Sequence, residues 1–153
     1  MTRTVTHDRV DTRVRCFEAL TPQSVAELAR LYAEDCRFRD PFNDIRGRDQ
    51  LQAVFLHMFA QLEAPRFIVR DRVVDAPRVL LTWDFEFRFR RWRRGEMQSI
   101  HGASLLVFDA AGLVASHRDY WDAAEELYEK RPAVGGLLRW LKRRARPPAP
   151  PKT

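Results

Sequence analysis

The sequence predicts an α+β fold: helices first, then an antiparallel sheet. Two observations carry this expectation. Apolar residues recur at helical spacing through the first part of the chain, and from "RFIVRDRVVD" onward the period falls to two. The short turn signals "RRGE" and "DAAG" join the later segments, as consecutive strands of a meander require.

The first helix is read from Val10, Val14 and Phe17 in "VDTRVRCFEAL". The second is "TPQSVAELARLYAED". Thr21 is its N-cap, and Pro22 takes the first helical position, where a missing N–H costs nothing. Val25, Leu28 and Tyr32 form its inner face, with Leu31 beside them. "CRFRDPFND" is an extended segment closed by a turn, because Pro41 biases Asp40 away from helical backbone. After Gly47 comes a third helix, "RDQLQAVFLHMFAQL", with Leu51, Val54, Phe55, Met58, Phe59 and Leu62 on one stripe.

"RFIVRDRVVD" is the next strand. In "VLLTWDFEFRFRRW", Trp83, Phe85, Phe87 and Phe89 point one way and Asp84, Glu86, Arg88 and Arg90 the other. "MQSIHGASLLVFD" and "LVASHRDYW" return as the last strands; His101 and Ser104 lie on opposite faces of the first, so only one of them looks inward. Asp122 and Glu125 form a capping box for "AAEELYEK". The expected organisation is one domain over residues 1–130, a basic amphipathic helix over 131–146 and a disordered Pro-rich tail over 147–153.

A chain of 153 residues is long enough for one domain with a real core. "MTRTVTHDRV" has no apolar centre, so no signal peptide is read there, and no apolar run is long enough to cross a bilayer. Cys16 and Cys36 follow no metal or redox spacing; two buried free thiols point to a reducing cytoplasm. The net charge of +6 divides unevenly: residues 131–153 carry +7 and residues 1–130 carry −1. A nearly neutral body argues against nucleic-acid binding. Arg88, Arg90, Arg91, Arg93 and Arg94 are therefore read as a solvated hairpin. In the tail, Leu137, Leu138, Trp140 and Leu141 lie among basic residues over 137–146. That pattern suits either weak contact with an anionic membrane surface or a helix packed on the body.

"LYAEDCRFRDPFNDIRGRDQLQAVF" carries a Tyr-Ala-Glu-Asp stretch, then Asp40-Pro41-Phe42, then Gly47-Arg48 before the next helix. "LLVFDAAGLVASHRDYW" closes the sheet. In order and spacing these segments resemble ketosteroid isomerases and SnoaL-like polyketide cyclases of the nuclear transport factor 2-like superfamily, over roughly residues 10–125. The resemblance implies a cone: a bent antiparallel sheet wrapped around three N-terminal helices and an apolar pocket. It also implies a homodimer formed through the outer sheet face.

By that resemblance the isomerase base corresponds to Asp40, and the pocket-facing aromatic at the end of the last strand to Trp121. Limonene epoxide hydrolases share an ending similar to Arg118–Asp122, which places their acid-donating aspartate on Asp119. The isomerase oxyanion donors, a tyrosine and a protonated aspartic acid, fall on Cys16 and Ser104. Neither donates as strongly, which argues against steroid isomerisation. The arginine of the epoxide hydrolases has no counterpart on the inward face of "WDFEF", which offers Trp83 and Phe85.

The catalytic candidates are therefore Asp40, Asp119 and His117. A carboxylate in an aromatic-lined cavity is desolvated and becomes a usable acid or base. His117 is two residues from Asp119 on the same strand face and could share a proton with it. Each has a structural alternative: Asp40 as a turn cap with Asn43 and Asp44, Asp119 as an ion-pair partner of Arg37, Arg39 or another arginine, and His117 as an interior histidine. Cys16, Tyr32, Phe55, Trp83, Phe85, Phe87, Ser104 and Trp121 are the candidate ligand-binding residues. The expected function is a small apolar-ligand pocket protein, a cofactor-free and metal-free enzyme of the isomerase, cyclase or hydratase kind. Its ligand would be lipid-, terpenoid-, steroid- or polyketide-like. The alternative is a non-catalytic ligand-binding or dimerisation module.

Overall fold

The computed structural model describes residue 5, residues 7–91 and residues 94–123. The chain divides into two compact units, Met1–Trp121 and Asp122–Thr153, and the first holds every element below. The helix expected after Asp122, the basic helix and the Pro-rich tail lie outside the described residues.

Helix α1 (His7–Glu18) buries Val10, Val14 and Phe17, the stripe its spacing dictates. A 3-10 turn (Pro22–Ser24) leads into α2 (Val25–Ala29). Thr21 and Ser24 exchange side-chain-to-backbone hydrogen bonds there, at 3.3 Å from Ser24 N–H and 3.0 Å from Thr21 N–H. Next come β1 (Tyr32–Arg39), β2 (Asp44–Arg46) and α3 (Arg48–Gln61). The long strands follow: β3 (Leu62–Asp75), β4 (Arg78–Phe89), β5 (Gln98–Phe108) and β6 (Val114–Tyr120).

The second helix is shorter than its spacing predicts. It ends at Ala29, and Tyr32 opens a strand instead of closing a helical face. The physical reason is pairing with β6. Val114 N–H donates to Leu31 O at 2.9 Å, and Tyr32 lies opposite Val114. The register then slips before Arg37, so Tyr32, Ala33, Cys36 and Phe38 are all buried. A bulged strand with that burial mimics helical spacing in sequence. The third helix keeps its predicted place, but only Leu51 and Phe55 are fully buried in it.

Six strands form one sheet in the order β2-β1-β6-β5-β4-β3. Neighbours are antiparallel except β1 and β6, which run parallel. Bulges interrupt the β3–β4 ladder at Glu63/Arg66 and at Val69/Asp71, and such insertions bend a sheet. In β4 the alternation is as read as far as Phe87: Val79, Leu81, Trp83, Phe85 and Phe87 are buried, whereas Phe89 is half-buried. The core lies between this face and the helices. Arg13 is a buried charge on α1; its guanidinium donates to the carbonyls of Arg9 and Gly112 and sits 4.9 Å from the Phe108 ring. It ties α1 to the β5–β6 turn. No helix among the described residues is long and apolar enough to cross a membrane.

Candidate functional site

His117 and Asp119 occupy alternate positions of β6, so both side chains leave the same face of the strand. Ser104 lies directly opposite Asp119 on β5, and Gly102 directly opposite Trp83 on β4. Pairing across three neighbouring strands thus brings Trp83, Ser104, His117 and Asp119 together. Tyr32 joins them from β1, on the other side of β6.

Donor chemistry fixes the direction of the hydrogen bonds. Trp83 Nε1–H donates to Ser104 Oγ at 2.8 Å. An indole nitrogen only donates, so the serine keeps its own hydrogen for Asp119 Oδ1, with which it is in short contact. Tyr32 Oη lies 2.7 Å from His117 Nδ1. Burial, reinforced by the charge of Asp119, holds this phenol well above its ordinary value, so it stays protonated. Among the described residues it has no other acceptor, so Tyr32 donates to Nδ1. His117 then carries a hydrogen on Nε2, which donates to Asp119 Oδ1 at 2.7 Å.

Three aromatic rings enclose that imidazole. Tyr32 stacks on it at 6.0 Å, and Phe38 and Phe17 meet it edge-on at 5.0 and 5.8 Å. The outcome is a carboxylate with one oxygen held by two donors. Its other oxygen accepts no hydrogen bond from the described residues. Asp119 borders a cavity of about 20 Å³ with Ser104, His117, Trp83, Leu81, Phe17, Phe55, Phe67 and Val69. That volume holds about one water molecule.

Several candidates lie elsewhere. Asp40 closes the turn between β1 and β2. Its Oδ1 accepts from the backbone N–H groups of Phe42 and Asn43 at 2.7 and 2.6 Å, and its carboxylate also takes Asn43 Nδ2 at 3.0 Å. It does not line the cavity. Trp121 meets Phe42 edge-on at 5.4 Å, also away from the lining. Cys16 is half-buried next to Phe17, which does face the void. Phe85 and Phe87 are buried in the aromatic row of β4 but are not part of the wall, whereas Phe55 and Trp83 are. Arg37 and Arg39 pair with Asp44, so Asp119 has neither as a counterion.

Phe17, Phe67, Val69 and Leu81 are wall residues that sequence reasoning missed. Leu81 was within reach, since it alternates with Trp83; Phe67 and Val69 are placed by bulges that spacing does not reveal. Among the described residues, no group of three or more His, Cys, Asp or Glu side chains is arranged to hold a metal ion.

Residues 14–117 match the sequence family of the SnoaL-like domain. No curated protein matches the sequence. Solved structures of similar fold include a protein of ketosteroid isomerase-like fold from Catenulispora acidiphila, in complex with trimethylamine. It is 17% identical, with a TM-score of 0.68 over 80% of this chain and 92% of that one. A Shewanella putrefaciens protein described as a SnoaL-like polyketide cyclase is 16% identical, with a TM-score of 0.65 over 80% of this chain and 98% of that one. A nuclear transport factor 2-like protein of unknown function from Burkholderia pseudomallei is 15% identical, with a TM-score of 0.66 over 77% and 91%. The likeness identifies the fold as the nuclear transport factor 2-like cone.

Proposed function

Since the chain belongs to the SnoaL-like domain family, we propose that it is a small-molecule acid/base enzyme in which Asp119 is the working base. One observation carries this reading: Asp119 Oδ1 is held by Ser104 and His117 while the carboxylate borders an apolar cavity. Such a group removes a proton from water or from a carbon acid, and Ser104 and His117 steady the charge. Tyr32 and Trp83 orient those two donors and touch no reacting atom. Asp40 has no part in this scheme, because both its oxygens are committed to the turn. The trimethylamine complex of the Catenulispora protein and the cyclase description of the Shewanella protein support a small organic ligand.

The test is solvent exchange. Carbonyl compounds selected by thermal shift are incubated with the protein in D2O, and loss of the acidic C–H signal is followed by NMR. Deuterium should enter with the wild type and not with Asp119→Asn. Equal exchange in both would remove Asp119 from the role.

A homodimer fits the outer sheet face. Val73, Leu80 and Leu105 form one cross-strand row there, and Val73 is 60% exposed. Sedimentation velocity of wild type and Leu80→Glu tests it, with a shift to monomer expected in the variant. The free thiols of Cys16 and Cys36 suit a reducing cytoplasm.

A further inference from the structure

Trp83 fills the space that a larger ligand would need. Its indole is fixed from three directions. Gly102 lies beneath it, and a Cβ at that position would stand 2.4 Å from the ring. Among the described residues, Gly102 is the only glycine inside a strand. Phe67 meets the indole edge-on at 5.6 Å, and Ser104 accepts its N–H. The side chain is 6% exposed, and what remains open beside it is the void of about 20 Å³. A bare glycine and a buried hydroxyl therefore hold one large ring at one depth. A ligand cannot shift it without losing the N–H bond or entering the Phe67 wall.

We infer that Trp83 is the specificity-determining side chain of the site. It limits what enters beside Asp119 to a small group of a ligand and excludes aromatic and fused rings. The inference rests on the reading that Asp119 marks the ligand site, but it concerns volume, so its test needs no turnover. This inference narrows the lipid-, terpenoid-, steroid- or polyketide-like ligand of the sequence analysis, because buried aromatic rings occupy the room a large guest would need.

Indole is the probe. Trp83→Ala vacates a ring-sized apolar volume, and an apolar cavity of about 150 Å³ binds benzene. Calorimetric titration of indole into the wild type should show no saturable binding. Into Trp83→Ala it should show one site, at least about tenfold tighter. Wild-type binding as tight as the variant's would overturn the inference, since the wall would then open with Trp83 present. A folded Trp83→Ala that binds no indole would overturn it as well, since the ring would not be what fills the space. If Trp83→Ala does not fold, Trp83→Leu with benzene decides between the same outcomes. Repeating the titration on Trp83→Ala with Asp119→Asn separates the two ideas. Indole binding that survives there, alongside unchanged deuterium exchange in Asp119→Asn alone, would end the base assignment and leave the size limit standing.

Discussion

Tyr32 Oη and His117 Nδ1 lie 2.7 Å apart across the β1–β6 boundary, in a space with almost no solvent access. The phenol keeps its proton because burial opposes the phenolate, and that proton sets the imidazole tautomer. Nitrogen-15 NMR of the histidine side chains should show the His117 hydrogen on Nε2. Tyr32→Phe strands Nδ1 without a partner and should cost about 1–2 kcal/mol by urea unfolding. Linkage adds a pH dependence. The folded-state value of Tyr32 is raised above its ordinary 10.0, so its contribution is fully present below about pH 10 and is lost as pH rises toward the folded value. Wild type should therefore lose more stability than Tyr32→Phe between pH 9 and 11; parallel curves would contradict the assignment.

Asp40 separates a base from a cap by a single atom. Asparagine keeps the Oδ1 acceptor for the N–H groups of Phe42 and Asn43; alanine removes it. Asp40→Asn should retain both stability and deuterium exchange, whereas Asp40→Ala should lose about 1–2 kcal/mol. Loss of exchange in the folded asparagine variant would restore Asp40 as a base.

Gly102→Ala places a methyl group 2.4 Å from the Trp83 ring. Backbone on one side and Phe67 on the other leave the ring little freedom, so the overpacking should cost about 1–3 kcal/mol. Near-ultraviolet circular dichroism should change with it. A variant as stable as wild type with an unchanged spectrum would mean the ring moves freely.

On the outer face, Asp84 takes hydrogen bonds from Arg70 and His101, with Arg70 the larger influence. Both hold its carboxyl below the ordinary 3.8. The sign follows: its contribution is present above that value and is lost as pH falls through the lowered one. Asp84→Asn should flatten the acid limb of the stability curve below about pH 4, measured by urea midpoint; an unchanged limb would show that Asp84 carries none of it.

The site was half legible in the sequence. Strand alternation puts His117 and Asp119 on the same face of one strand and His101 and Ser104 on opposite faces of another, and the resemblance decides which side looks inward. Trp83 follows from the same rule. What spacing could not give was contact across strands that are distant in sequence. The role of Tyr32 depends on β1 pairing with β6, and the residue was read on a helix because Val25, Leu28 and Tyr32 satisfy a helical period. Asp40 shows the converse: its motif carries the resemblance, yet two local backbone N–H groups and the Asn43 amide take its oxygens at the turn. The size of the pocket was illegible for a simpler reason. Composition counts aromatic rings, but only packing decides whether they line a void or fill it.

The parallel junction of β1 and β6 also bears on how the molecule is made. The hydrogen bond between Tyr32 and His117 spans 85 residues of sequence. Hairpins β3–β4 and β4–β5 close locally, whereas this junction must wait until nearly the whole sheet is in hand. The chemistry is thus assembled among the last events of folding. A partly folded chain, or a nascent one still lacking β6, has no paired imidazole and no held carboxylate. The proposed base would then exist only in the completely folded chain.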